Sequence, residues 1–321
     1  MTTIEDLAAA CGVSIATVSR AFSPNATIKP ATREKILRCA QELHYVPNSI
    51  AKSLQQKQTN TIGLIIPDIG NAFYISVLRR MDRKFRESGY RFIVGFYQSG
   101  TSTEAQIISD MYSYRVDGLI FTPRGRSSET VLKQCFSPRN VLQLFGSPYP
   151  EYDSLDIDDV YGAHAATEYL ISQGHKKILY YGGGGRVEGY FRAMEERGLS
   201  AFADALTAPQ ISEDELRGHL LTKRPTAILT IAKRSEQMVS LLNRMGWKFP
   251  DDVSLIVYDD VEWTGMLDIT TVTHPLDDLA NIALEMLLAR LRGNAADPPA
   301  HRRLLPLLKY RNSVKSLSEG E

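Results

Sequence analysis

From Thr61 onward, short apolar runs alternate with segments whose apolar residues recur at helical spacing, and this alternation constrains the fold more than any other feature of the chain. Runs at 62–66, 92–96, 119–121 and 141–145 are separated by helical periods over 73–88 and 104–114 and by a helix ending at Cys135. Runs this short and this apolar suit strands buried on both faces, and a strand, helix, strand order predicts a parallel sheet covered by helices. A second series starts near Asp156, with Ile157, a helix over 160–172, a strand over 178–181, a helix over 187–197, a strand over 227–230, a helix over 235–245 and a strand over 255–258. The chain therefore builds two similar α/β lobes, and no short-period repeat accompanies them.

The first sixty residues follow another rule. Thr3 and Asp6 have capping-box spacing, and Ile4, Leu7, Ala8 and Cys11 recur at i, i+3, i+4, i+7, which marks a short amphipathic helix that Gly12 ends. Ser14 is placed to cap a second helix with Val18, Ala21 and Phe22 as its apolar stripe. Neither helix is long enough to stand alone, so a third, from about Ala31 to His44, is expected to cover them with Ile36, Leu37, Ala40 and Leu43. Two short helices joined by a glycine turn form a helix-turn-helix, whose second helix can enter the major groove of DNA.

Composition narrows the class. The chain has 321 residues, 43% apolar and 23% charged, which is enough to bury the cores of about two domains. Lys+Arg and Asp+Glu are both 37, so any polyanion signal has to be local. It lies at the N-terminal end, where residues 1–58 hold seven basic and four acidic side chains while the remainder holds 30 and 33. Cys11, Cys39 and Cys135 lack the spacing of a disulfide framework or a structural zinc site, so no metal is expected and a reducing cytoplasm is the expected setting. No signal-peptide pattern and no run of about 18 apolar residues occurs, so no membrane partner is expected.

Residues 3–20 (TIEDLAAACGVSIATVSR), then Thr32-Arg33-Glu34 and 45–54 (YVPNSIAKSL), closely resemble the headpiece of the lac repressor family of bacterial transcription regulators. The likeness continues through 61–69 (TIGLIIPDI), 116–120 (VDGLI), 174–178 (GHKKI), 250–254 (PDDVS) and 258–260 (YDD), and so covers nearly the whole chain. It implies a small all-α helix-turn-helix headpiece over 1–46, a hinge helix and linker over 47–60, and an α/β core over 61–321 made of two doubly wound parallel-sheet lobes. It also implies chain crossings between lobes near Ser154, His274 and Arg302, and a ligand cleft at the C-terminal ends of the strands.

Carried over position by position, the resemblance assigns base reading to Ile15, Ala16 and Arg20 and phosphate contacts to Ser14, Thr17 and Ser19. Arg20 suits a bidentate bond to guanine, whereas Ile15 and Ala16 can offer only apolar contact. Lys29-Pro30 replaces the usual Ser-Glu start of the third helix, and Lys29 is assigned to a phosphate. Asn48 lies in the hinge segment, Lys52 replaces a commoner arginine at the groove wall, and Leu54 matches a wedge that kinks operator DNA from the minor groove.

For the effector, the resemblance makes Phe73 or Tyr74 available for stacking, Arg186 for a bidentate contact and Asp259 for a polar contact at a strand end. Relatives that bind neutral sugars carry Asn-Asp where this chain has Ala232-Lys233, so a cation replaces an acid. Arg124, Arg186 and Lys233 against Asp259 and Asp158 point to an anionic ligand such as a sugar acid or sugar phosphate. The expected partners are double-stranded operator DNA, a small-molecule effector and a second copy of the chain, with no cofactor. The polar tail over 311–321 is too short for a tetramerising heptad helix. Two other readings stay open: an effector-independent DNA-binding dimer, and a sugar-transforming enzyme with an accessory DNA-binding unit. Against the enzyme, the loop over 182–186 (GGGGR) lacks the Gly-Lys-Ser/Thr of a nucleotide site, no GxSxG or HExxH occurs, and the six histidines are scattered.

Overall fold

A computed structural model describes residues 2–22, 27–46, 58–97, 103–208, 210–293 and 298–317, with the backbone alone at Ala232 and Lys233. The chain divides into two compact units, residues 1–59 and 60–321.

In the first unit, α1 (Ile4–Cys11) is capped as its sequence implies: Thr3 Oγ1 accepts from the Asp6 N–H at 3.2 Å, and Asp6 Oδ2 accepts from the Thr3 N–H at 2.9 Å. Gly12, at φ 64°, takes the left-handed turn that ends the helix. Ser14 caps α2 (Ile15–Ala21), and α3 (Pro30–Glu42) starts at Pro30, with no side-chain bond from Lys29 to its first turn. Leu7, Ala8, Cys11, Val18, Ala21, Ile36 and Ala40 form the core. Leu37 and Leu43, expected to cover it, are 40% and 37% exposed. Leu37 lies one helical step off the Ile36–Ala40 stripe, and α3 stops before Leu43. Arg33 Nε donates to the Ala21 carbonyl at 2.9 Å and Lys35 Nζ to the Cys11 carbonyl at 3.0 Å, so two of the basic residues hold the C-terminal ends of α1 and α2.

The second unit contains two six-stranded sheets. The first is made of β1 (Thr61–Ile66), β2 (Arg91–Phe96), β3 (Gly118–Phe121), β4 (Val141–Leu144), β5 (Asp153–Ile157) and β11 (His301–Leu304), in the order β11-β5-β4-β3-β1-β2 and parallel throughout. Its helices are α4 (Ala72–Glu87), α5 (Glu104–Ser113), α6 (Glu129–Cys135) and α12 (Leu276–Leu291). The second sheet holds β6 (Ile178–Tyr181), β7 (Asp204–Leu206), β8 (Ala227–Ile231), β9 (Ser254–Tyr258), β10 (Thr270–Thr273) and β12 (Leu307–Lys309), in the order β12-β10-β9-β8-β6-β7. Its only antiparallel pairing among the described residues is β10 with β12. Its helices are α7 (Asp159–Ser172), α8 (Arg186–Glu196), α9 (Glu213–Lys223), α10 (Ala232–Met245) and the short α11 (Glu262–Met266).

One expectation is corrected here. The run at Asp156-Ile157 does not open the second lobe; it is the end of β5, which pairs with β4 and β11 in the first sheet. The chain thus crosses after β5, at His274 between β10 and α12, and at Leu305-Pro306 between β11 and β12. What fixes β5 in the first sheet is buried charge. Asp153 receives Arg290 Nε at 2.8 Å, Arg290 Nη2 at 2.7 Å and the Ala300 N–H at 2.7 Å, joining β5 to α12 and to the approach of β11.

Candidate functional site

The face of α2 turned away from the headpiece core carries Ser14, Ile15, Ala16, Ser19 and Arg20, all exposed, with Thr17 half-buried beside them. Ile15 is 47% exposed on a helix whose Val18 and Ala21 are buried, so its side chain adds nothing to the fold and remains available to a partner. Ser14 Oγ caps the Thr17 N–H at 3.2 Å and lies 2.9 Å from Thr17 Oγ1. The Arg20 Nε–H donates back to the Ala16 carbonyl at 3.3 Å. Lys29 is exposed at the start of α3. Asn48, Lys52 and Leu54 lie outside the described residues.

The second constellation forms where strands of both lobes end. Phe73, in the first turn of α4, lies 5.2 Å from the Phe145 ring just past β4 and 5.1 Å from the His274 ring at the crossover. His274 in turn lies 5.5 Å from Tyr258, the last residue of β9, so one imidazole touches an aromatic ring from each lobe. Tyr74 packs on Phe73 and Phe145, and burial pushes its phenol pKa up to about 12, so it stays neutral.

Polar groups line the same region. His274 Nε2 donates to Asp259 Oδ1 at 2.9 Å, and both side chains are more than nine-tenths buried. Asp259 adopts φ 82°, a left-handed backbone that aspartate tolerates better than most residues. The Arg186 guanidinium stacks 4.3 Å from the Tyr258 ring centroid and pairs with Asp159 at 3.0 Å. Burial works against its charge, but the Asp159 and Asp259 carboxylates and the nearby phenols outweigh that and hold its pKa above the ordinary value. Arg186 Nε and His274 Nδ1 are buried with no hydrogen-bond partner among the described residues. Two unspent polar atoms in an aromatic-walled cleft are what a ligand with hydroxyl groups can satisfy.

Not every expected residue enters this cluster. Asp158 serves as the N-cap of α7, accepting from the Tyr161 N–H at 2.9 Å, and lies 3.7 Å from Arg303. Its neighbour Asp159 stands beside Arg186. Two adjacent aspartates at a helix start are divided this way because the first caps and the second already belongs to the helix. Arg124 stacks 4.2 Å over the Tyr97 ring, and its N–H donates to buried Glu104 at 2.7 Å, at the ends of β2 and β3. Lys233 falls in the first turn of α10, directly after β8, and its side chain lies outside the described residues. Asp159, Tyr258, Phe145 and the contacts of His274 with both lobes escaped the sequence reading. His274 gave a signal, since a histidine beside a proline at a predicted crossover is held close to both lobes.

Comparison with known proteins accounts for both regions together. Residues 3–48 match the family model described as bacterial regulatory proteins, lacI family, and residues 167–314 match a periplasmic binding protein-like domain. Catabolite control protein A of Priestia megaterium is 30% identical over 332 aligned residues, covering 98% of this chain and 99% of the relative. The HTH-type transcriptional regulator GalR of Escherichia coli K12 is 30% identical, with 99% and 97% covered. Among solved structures, a lac repressor dimer bound to operator and the anti-inducer ONPF superposes with a TM-score of 0.83 at 23% identity, over 98% of this chain and 99% of that one, a likeness of fold. With a capped helix-turn-helix, a two-lobed core and full-length relatives of one kind, the chain belongs to the lacI family of bacterial regulatory proteins.

Proposed function

We propose that the protein is a transcriptional repressor that binds a pseudo-palindromic operator as a homodimer and is released or retained by a sugar-derived effector held between its lobes. A cytoplasmic setting belongs to this reading, supported by three free cysteines and by the absence, among the described residues, of a helix long and apolar enough to cross a membrane. The observation that carries the DNA part is the exposed face of α2, where Arg20 and the solvent-facing Ile15 stand on a helix capped by Ser14. The effector part rests on Arg186, paired with Asp159, stacked on Tyr258 and close enough to Tyr74 for its charge to act on that phenol.

The charge of the effector is the finer point. The charge of Arg186 is already matched by Asp159, so an anionic sugar derivative needs a further cation, and Lys233 at the start of α10 is the candidate source. Calorimetric titration with a sugar, its sugar acid and its phosphate tests this. The anionic form is expected to bind best, to weaken as salt rises, and to lose affinity in Lys233→Met. A neutral sugar that binds better than its acid or phosphate overturns the anionic reading and leaves the cleft assignment standing. Loss of operator bending in Leu54→Ala, with dimerisation kept, tests the hinge.

A further inference from the structure

α7 and α8 run side by side so closely that their backbones meet at one glycine. A Cβ on Gly189 would stand 2.1 Å from the Val160 carbonyl oxygen and 2.9 Å from the His164 nitrogen, so the two backbones touch at that point. Glu196 lies two turns beyond Gly189 on the same face of α8, and His164 and Glu168 are one turn apart on α7. The close approach therefore brings these three side chains together. Their ligand atoms all fall within 4.8 Å of one another, and His164 Nε2 is 2.7 Å from Glu196 Oε2.

We propose that His164, Glu168 and Glu196 form a binding site for a divalent first-row transition ion of the zinc class, which bridges α7 and α8. An imidazole with two carboxylates is a ligand set suited to such ions, and water supplies the remaining positions. The side chains are 23%, 22% and 45% exposed, so an ion reaches them from solvent without opening the fold. Arg192 Nε donates to Glu196 Oε1 at 2.8 Å and Arg197 Nε to both Glu168 oxygens at 3.0 Å. Arg197 Nη2 also donates to Glu168 Oε2, but Glu168 Oε1 and both Glu196 oxygens each accept one side-chain bond and keep a second lone pair for an ion. The arginine bonds fix the carboxylates in place, as outer-shell groups do at metal sites. The ion takes the place of the proton between His164 and Glu196. The N-terminal residues of the same two helices, Asp159 and Arg186, form the cleft ion pair, so the bridge steadies one wall of the cleft.

The test uses tag-free full-length protein stripped with a chelator and titrated with zinc chloride by calorimetry and with cobalt(II) by visible absorption. One ion per chain is expected, with a rise in the melting temperature of about 5 °C at a hundredfold excess over Kd. His164→Ala and Glu196→Gln are each expected to lose at least about tenfold in affinity and most of that rise. Binding is read at a temperature where each variant is folded by circular dichroism, so a loss of stability does not mask the result. His219→Ala removes a histidine whose carboxylate neighbour is Asp204, 2.6 Å away, and is expected to leave zinc binding unchanged. Absence of binding in the unmodified protein overturns the proposal, as does binding of equal affinity in His164→Ala and Glu196→Gln.

Discussion

Arg20 and Arg290 show how differently one residue type can be used. Arg20 is exposed on α2 with only a weak bond back to its own helix, so its guanidinium is free to take a base edge. Arg20→Ala is expected to cost about 1–3 kcal/mol on the operator and to relax specificity at one position per half-site, whereas Lys29→Ala weakens all sequences alike and flattens the salt dependence. Binding to operator and random DNA at several salt concentrations checks this, and equal losses on both DNAs for Arg20→Ala refute the base contact. Arg290 is the opposite case: both partners of its pair with Asp153 are about 95% buried. Asp153→Ala removes the buried carboxylate that faces Arg290 inside the first lobe and is expected to destabilise by about 3–5 kcal/mol, read as a lower urea midpoint. The exposed place of Arg20 on α2 was legible because a local motif sets it. Arg290 was not, because its partner is 137 positions away.

At the scale of elements, caps and periods are local and were legible. The α1 capping box, the Gly12 turn and the Ser14 cap are fixed by residues within four positions of each other. The contact between α7 and α8 was not, since Gly189 inside a helix reads as a weakness until the neighbouring backbone is seen. On an open helix face Gly189→Ala would stabilise by roughly 1 kcal/mol. Here the added methyl meets the Val160 carbonyl, which cannot yield without separating the helices. Gly189→Ala is therefore expected to destabilise by about 1–3 kcal/mol or more, and a raised melting temperature in this variant would show the helices to be farther apart than described. The same contact assembles His164, Glu168 and Glu196, a grouping that the scattered histidines of the sequence did not suggest.

At the scale of the molecule, the chain's end is tied to the second sheet through a buried histidine. His175 Nε2 donates to the Lys315 carbonyl at 3.1 Å, and Nδ1 lies 3.0 Å from Thr226 Oγ1. Burial lowers the pKa of this imidazole below its ordinary 6.5. The unfolded chain therefore takes up this proton first, and the stabilisation, fully present above 6.5, is lost as pH falls through the folded value. Melting temperatures from about pH 8 to about pH 5 are expected to fall more steeply for the unmodified protein than for His175→Gln, which keeps a donor for Lys315 but does not titrate. Equal slopes would rule His175 out as the titrating group.

The sequence by itself determined the headpiece, the number of lobes, the order of most strands and helices in the series it identified, and the family. These depend on apolar periods, caps and motifs that neighbouring residues settle among themselves. It did not determine which sheet β5 joins, where α12, β11 and β12 return, or that Asp159 rather than Asp158 stands beside Arg186. Those choices depend on contacts beyond any one segment, from the 27 positions between Asp159 and Arg186 to the 147 between Asp153 and Ala300, and they are decided by which buried charges find partners and which backbones can touch. Periodicity along one segment carries no record of either, so only the tertiary structure could supply them.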